Sequence, residues 1–344
     1  MTSNDNTSTD HLLFDQEFSR HDSRATLINL LGEATLKSLM QRSNLKGLWA
    51  ILSCWAIIIT SMVIFSWAKS LPTQFSIPIM ILAIVIIAGR QLGLSILMHE
   101  ASHRALFKTT WLNDTFSDWL CGRPIFVEVE KYRKHHMVHH RETGTLEDID
   151  YSLVKNFPTT RMSLLRKFSR DTLGITGIKS IIGLTLMNAG ILKWTVANNI
   201  ERLPQNNRSK IIIINTFIKN SWPTLTINSG IFLVTYLAGT PEMFLAWVLA
   251  YISPYQLFIR IRSIAEHAMT KQTPNMLENT RSTNAGWIAR ALVAPFNVNF
   301  HIEHHIMPTL SFWQLPKLHK LLSDKGVITI TSGYFKILKT VSSN

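Results

Sequence analysis

The chain has 344 residues, is 46% hydrophobic, carries a formal net charge of +13 and contains two cysteines. Cys54 and Cys121 provide neither a disulfide framework nor a thiolate metal site. The positive charge lies between long apolar runs, as it does in the inward-facing loops of membrane proteins, so it does not call for a nucleic-acid partner.

In chain order, the sequence opens with MTSNDNTSTD and residues 1–25 read as a disordered polar tail. No basic segment followed by an apolar core is present there, so no cleaved signal peptide is expected. ATLINLLGEATLKSLM (25–40) is amphipathic and is expected along a membrane surface. Gly47 to Ala68 then runs twenty-two residues without a charge, roughly 33 Å as a helix and enough to cross a bilayer core. Ser76 to Met98 carries only Arg90, which either snorkels or faces the interior. Two more uncharged runs cover Asn220 to Pro241 and Met243 to Ile259. With short turns at Leu71-Pro72 and at Gly239 to Glu242, the pattern predicts an all-α integral membrane protein. Its four transmembrane helices, about 47–68, 76–98, 220–238 and 242–259, form two hairpins, since lipid tolerates only helices or closed barrels.

Between the hairpins, Arg166 to Trp194 and Ile211 to Ile218 are apolar but short or interrupted by charge, and are read as interfacial helices. There is no repeat and no Gly/Ser-rich linker, so residues 26–344 read as one domain. Seventeen Lys and Arg fall between His99 and Lys210 and ten follow Ile259, whereas the outer turns offer only Lys69. This bias places both termini and the central segment in the cytoplasm.

The thirteen histidines are the informative residues. His99 and His103 stand at the cytoplasmic end of the second span. His136, His139 and His140 form H-x-x-H-H in the central segment, within KYRKHHMVHH. His267 lies eight residues beyond the predicted end of the fourth span, and His301, His304 and His305 form a second H-x-x-H-H. All nine fall on one side of the membrane. Positions i and i+3 or i+4 share a helix face, so each box directs imidazoles into one volume. The adjacent histidine of each H-H pair is rotated by about 100°, toward a second metal. Nine nitrogens exceed one four-coordinate zinc and suit two metals with four or five each. Imidazole suits Zn, Cu, Fe and Ni alike, so the ligands alone leave the metal open. His11, His21 and His319 are read as ordinary, and His135 yields to His136 by register. A lone H-E-x-x-H would suggest a zinc peptidase with Glu100 as base, but a peptidase has no use for seven further histidines. A membrane metal-binding or zinc hydrolytic protein stays as the reading from a different class.

The boxes H-E-A-S-H (99–103), H-M-V-H-H (136–140) and H-I-E-H-H (301–305), with R-S-I-A-E-H (262–267) and IMPTLSFWQLPKLH (306–319), resemble the membrane fatty acid desaturase and hydroxylase superfamily. The likeness extends over roughly residues 45–320 and is similar to the bacterial fatty acid desaturases. It implies four long transmembrane helices capped by a cytosolic helical domain with a non-haem di-iron centre, in a bacterial inner membrane. Such enzymes use O2 and two electrons to desaturate a fatty acyl chain, lipid-linked or carrier-linked. The alternative is a hydroxylase of a lipid, alkane or carotenoid-like substrate. Zinc, lacking redox chemistry, cannot serve either reaction. Glu100, Glu266, Glu303, Asp148 and Asp150 are candidates to orient the ligand rings from behind. The first box has three intervening residues, unlike the four of the acyl-CoA delta-9 type. The third begins with His301, where front-end desaturases usually have Gln. No H-P-G-G, ferredoxin-type cysteine set or G-x-G-x-x-G is present, so electrons are expected from a separate ferredoxin or cytochrome b5-like donor. Lys131, Arg133, Lys134 and Arg141 are candidates to contact that donor, lipid phosphates or an acyl carrier, or to act as inside-facing anchors.

Overall fold

A computed structural model describes residues 18, 22–206, 208–330 and 332–343. Most of the expected polar tail, with His11 and His21, lies outside these residues. Among the described residues the chain is helical throughout, with isolated bridges and no sheet.

Helices α1 (Ser23–Leu31) and α2 (Glu33–Leu39) cover the amphipathic stretch and break at Gly32, whose φ of 80° suits glycine. Their apolar residues were expected to face a membrane surface. Instead, Leu27, Leu36 and Leu39 are buried in a cluster with Ile306, Leu310 and Leu318. Helix α3 (Asn44–Ala68) starts at Ser43, whose side chain accepts the Lys46 amide, and ends in the turn before Pro72. Helix α4 (Thr73–Ser102) carries Pro78 in its second turn, where few backbone bonds are lost. It is the central post: Ile87, Leu92, Leu94 and Leu97 are fully buried, and Gln91 donates to the Trp247 carbonyl at 2.9 Å. Arg90 faces the protein and donates to the Ala291 carbonyl.

Two π-helical turns, Leu112–Phe116 and Asp118–Gly122, lead into α5 (Val129–Glu142), which carries the second box. The short α6 (Tyr151–Val154) follows. The stretch read as one interfacial segment divides at Gly174 (φ 79°) into α7 (Arg161–Thr172) and α8 (Ile175–Asn188). The separate interfacial helix expected at Ile211 to Ile218 does not exist, because α9 (Lys210–Leu237) runs unbroken through it. No residue between Ile218 and Asn220 stops a helix, and Asn220 is satisfied by donating to the Asn188 carbonyl (2.8 Å). Helices α10 (Glu242–Ile252) and α11 (Pro254–His267) are divided at Ser253, where Pro254 cannot donate a helical bond. The α11 helix continues to His267, so this histidine ends the helix rather than lying eight residues past it. The remainder comprises α12 (Trp287–Leu292), α13 (His301–Ile306), α14 (Leu315–Asp324) and α15 (Tyr334–Val341).

Three stretches are long and apolar enough to cross a membrane: Glu33–Ala68, Thr73–Ser102 and Glu242–His267. Their outward faces carry large exposed apolar side chains, among them Trp49, Ile59, Ile81 and Leu245, as expected of helices solvated by lipid. Helix α9 falls short on hydropathy because Asn220, Ser221, Thr224 and Asn228 interrupt it. These polar groups turn inward: Asn228 donates to the Thr224 carbonyl and accepts from the Trp247 indole, and Ser221 and Thr224 are buried.

Close approach at the Ser253 break gives a test of this packing. A Cβ on Gly177 would lie 2.2 Å from the Ile252 carbonyl oxygen, whereas one on Gly183 of the same helix meets nothing within 4 Å. Gly177→Ala should therefore cost about 1–3 kcal/mol, while Gly183→Ala should be neutral or gain up to about 1 kcal/mol. Thermal unfolding in detergent checks this, and equal midpoints for the two variants would contradict the packing.

Candidate metal centre

Helix ends bring the histidines together. Helix α4 supplies His99 from its last turn and His103 as its C-terminal cap. Arg133 of α5 donates to the Ser102 carbonyl (2.7 Å) and the Ala101 carbonyl (3.2 Å), and pairs with Asp114. It thus satisfies the open end of α4 and docks the first box on the second. The basic neighbours expected to face partners are paired locally: Lys131 with Glu128, Lys134 with Glu130 and Arg141 with Glu142.

The nine histidines form two adjoining groups. His99, His103, His136, His140 and His304 bring one nitrogen each within 4.8 Å of one another. His139, His267 and His305 form a second such group, and His267 with His301 and Glu266 a third that joins it through His267. Each H-x-x-H-H box is therefore divided. The i and i+4 members, His136/His140 and His301/His305, stay together, and the middle member, His139 or His304, crosses to the other group. The adjacent pairs 139/140 and 304/305 separate as their 100° rotation requires.

The spacings match ligands on a shared ion. His140 Nε2 lies 3.0 Å from both His136 Nε2 and His304 Nε2, and His301 Nε2 lies 2.9 Å from His267 Nε2 and 3.2 Å from His305 Nε2. Nitrogens bound at about 2.1 Å on adjacent octahedral vertices stand roughly 3.0 Å apart. A neutral imidazole has one N–H and cannot donate from Nε2 to two neighbours while three lone pairs converge. Both nitrogens of His99 and Nε2 of His103 are buried without a hydrogen-bond partner. A cation in the first group would satisfy one nitrogen of His99 and Nε2 of His103, leaving the other His99 nitrogen toward Glu100, and with the converging Nε2 atoms of the second group the residues fit a pair of bound metals.

The electrostatics favour the ligating form. Burial, reinforced by the Arg133 charge, pulls His103 down to about 3. Burial and mutual proximity hold His136, His140, His301, His304 and His305 well below the ordinary imidazole range. Neutral imidazole is what a metal requires. His139 differs: burial lowers it, but the Asp148 hydrogen bond and the Asp150 charge outweigh burial and raise it.

Of the five carboxylates expected behind the ligands, Asp148 makes the direct contact, its Oδ1 lying 2.9 Å from His139 Nδ1. Asp150 lies 3.8 Å from the same nitrogen and 2.9 Å from His135 Nε2. His135 is thereby spent on a carboxylate and stands outside both groups. Glu266 stands 3.6 Å from His301 Nδ1 and accepts from Arg262 Nε at 2.7 Å. Glu100 stands 3.6 Å from His99 Nδ1, and its other oxygen accepts the Phe312 amide at 2.9 Å. That bond ties the first box to the segment after the third. Glu303 touches none of the nine rings; it takes the Ser282 hydroxyl (2.5 Å) and pairs with His319. His319 is thus a satisfied partner of a buried acid. Sequence reasoning missed Tyr132, stacked on His136 with ring centroids 5.0 Å apart, and gave no role to Arg262, although its i,i+4 spacing to Glu266 was legible.

A partly open cavity of about 180 Å³ abuts the cluster, lined by His136, His139, His267 and His301 on one side and by residues such as Leu92, Met98 and Val127 on the other.

Long apolar helices whose ends gather buried, neutral imidazoles define a membrane protein able to hold metal ions. The chain belongs to the fatty acid desaturase family, whose model matches residues 75–327, and it is an oxidoreductase. It is 26% identical over 258 residues to dihydrorhizobitoxine desaturase of Bradyrhizobium elkanii, covering 74% of this chain and 70% of that protein. It is 19% identical over 256 residues to sn-1 oleoyl-lipid 12-desaturase of Anabaena variabilis, covering 72% and 69%.

Losing a carboxylate behind a ligand typically weakens metal binding about 10- to 100-fold. Asp148→Ala should therefore lose metal to a chelator at a concentration that leaves the unaltered protein loaded, whereas Glu303→Gln should retain it. Metal analysis after dialysis checks both, and equal retention by Asp148→Ala would contradict the role of Asp148.

Proposed function

We propose that the protein is a di-iron enzyme that uses O2 and two externally supplied electrons to desaturate an acyl chain. The observation that carries this reading is the division of nine buried imidazoles into two groups with nitrogen spacings near 3 Å, beside a largely apolar cavity. His99, His103, His136, His140 and His304 hold one iron, and His139, His267, His301 and His305 the other. Asp148, Glu266 and Glu100 steady the rings from behind, with Asp150 acting through Asp148's neighbourhood. Bound iron supplies the redox chemistry that zinc lacks. The balance is one substrate CH2–CH2 unit, O2, two electrons and two protons giving CH=CH and two waters.

The chain's own part is to exclude bulk water and to hold the substrate carbons against His136, His139, His267 and His301. Helix α9 serves as a fourth span beside α3, α4 and the α10–α11 unit, its inward polar groups satisfied by protein and its outward face apolar. The two hairpins carry a cytosolic helical cap, and residues 26–344 act as one domain. Positive charge beyond the spans supports cytoplasmic termini and metal site, in a bacterial inner membrane. A ferredoxin or cytochrome b5-like protein supplies the electrons. The two relatives are named for different substrates, dihydrorhizobitoxine and an oleoyl lipid, so the acyl substrate has to be read from this cavity.

Lipid and acyl products of a bacterial host expressing the chain, analysed by mass spectrometry with and without O2, test the reading. The expected product is two hydrogens lighter than its parent, formed with O2 and missing in His304→Ala. A product one oxygen heavier would make the enzyme a hydroxylase, and an unchanged product from His304→Ala would remove the di-iron assignment.

A further inference from the structure

The cavity beside the metal cluster limits the substrate, and this inference rests on the desaturase reading of that site. Its volume is about 180 Å³. An apolar cavity of about 150 Å³ holds one benzene, so this one takes roughly seven non-hydrogen atoms. A long membrane acyl chain cannot be enclosed whole within it. Leu92, Met98, Val127, Leu153, Val196 and Ile259 give much of the wall an apolar surface, suited to methylenes.

Several polar groups in the wall are paired with one another. Ser95 Oγ and the Tyr255 hydroxyl share a hydrogen bond of 2.6 Å, and Asp148 and Asp150 are occupied by His139 and His135. The Tyr132 and Ser263 hydroxyls and Arg262 remain open, and Arg262 is the one Lys or Arg among the described residues lining the cavity. Its Nε is spent on Glu266, while its two terminal nitrogens have no protein acceptor within hydrogen-bond reach among the described residues. Its side chain is only 16% exposed. A mostly buried guanidinium with open donors calls for an acceptor, and its planar fork matches two oxygens best.

We infer that the cavity binds a short acyl chain, about seven non-hydrogen atoms long inside the protein, whose carboxyl end docks on the terminal nitrogens of Arg262. The oxygens are those of a free carboxylate or of an acyl carbonyl joined to a carrier; the chemistry seen by Arg262 is shared. Glu266 links this anchor to the metal cluster, accepting from Arg262 at 2.7 Å and standing 3.6 Å from His301 Nδ1. The anchored end therefore lies close to the metals, and the carbons that lose hydrogen lie within a few bonds of the carboxyl group. Arg262 is a specificity-determining residue in this reading.

The test uses the full-length iron-loaded enzyme in detergent. Thermal unfolding is followed with pentanoate, pentylamine, pentanol and palmitate, and turnover is followed with pentanoate, pentanoyl thioester and palmitate, using O2 and a reduced ferredoxin. Pentanoate should raise the unfolding midpoint more than pentylamine, pentanol or palmitate. Losing hydrogen bonds from a charged donor should raise the KM of Arg262→Gln for the short substrate about 10- to 100-fold, with Arg262→Lys recovering part of it. Faster turnover of pentanoate than of its thioester identifies the free acid, the reverse identifies the carrier-linked form, and either supports the inference. Val196→Phe, which narrows the cavity, should raise KM for pentanoate more than for propanoate, so the inference stays testable if Arg262→Gln fails to load iron. Palmitate binding and turning over better than pentanoate, or an Arg262→Gln KM that stays constant while iron is retained, would overturn it. An enzyme that holds iron and desaturates only long chains loses this inference alone. A chain that holds no iron and oxidises nothing loses the desaturase reading beneath it.

Discussion

Everything in this structure depends on how nine imidazoles can be buried within a few ångströms of one another. Uncompensated, the arrangement is unfavourable. Five ring nitrogens of His99, His103, His301 and His304 are buried without hydrogen-bond partners, and each costs about 1–3 kcal/mol. The sum is comparable with the about 5–15 kcal/mol by which a typical domain is stable. A cation would take one lone pair each from His99 and His103 and the converging Nε2 lone pairs of the other rings, offsetting part of this cost, so bound metal would stabilise the folded cluster. Burial and neighbouring charges also hold His103, His140 and His304 in the neutral form that a metal would require.

The membrane helices provide the rigidity that this clustering needs. His99 and His103 end α4, and His267 ends α11, where it meets His139 of α5 and His301 of α13. Arg133 and Glu100 then act as cross-ties. The first fastens the second box to the end of α4, and the second fastens α4 to Phe312 behind the third box. Basic residues that look available in sequence are therefore partly structural. The cavity is lined by Leu92, Ser95 and Met98 of α4 and by Tyr255 and Ile259 of α11, so the long apolar helices also shape what reaches the histidines.

Much of this was legible in the residues themselves. Uncharged runs located α3 and α4 within a few residues, and the box spacings identified all nine histidines that converge. What was not legible depended on tertiary pairing. Lys219 made Ile211 to Ile218 look separate from the uncharged run beginning at Asn220, yet it is exposed on α9, while Asn220 and Asn228 find partners on other segments. The end of α11 at His267 was hidden by Arg260, Arg262 and Glu266, which read as leaving the membrane yet are paired inside the protein with Asp171 and with each other. Glu303 resembled a ligand-orienting acid by position, but only the fold could show that Ser282 and His319 claim it.

The most direct test of the central claim is metal stoichiometry with X-ray absorption on the full-length protein purified from iron-replete cells. The account predicts two irons per chain, each surrounded mainly by imidazole nitrogen and lost together with the compact fold of the cap on chelation. A single metal per chain, or zinc at full occupancy with O2-dependent activity intact, would contradict it.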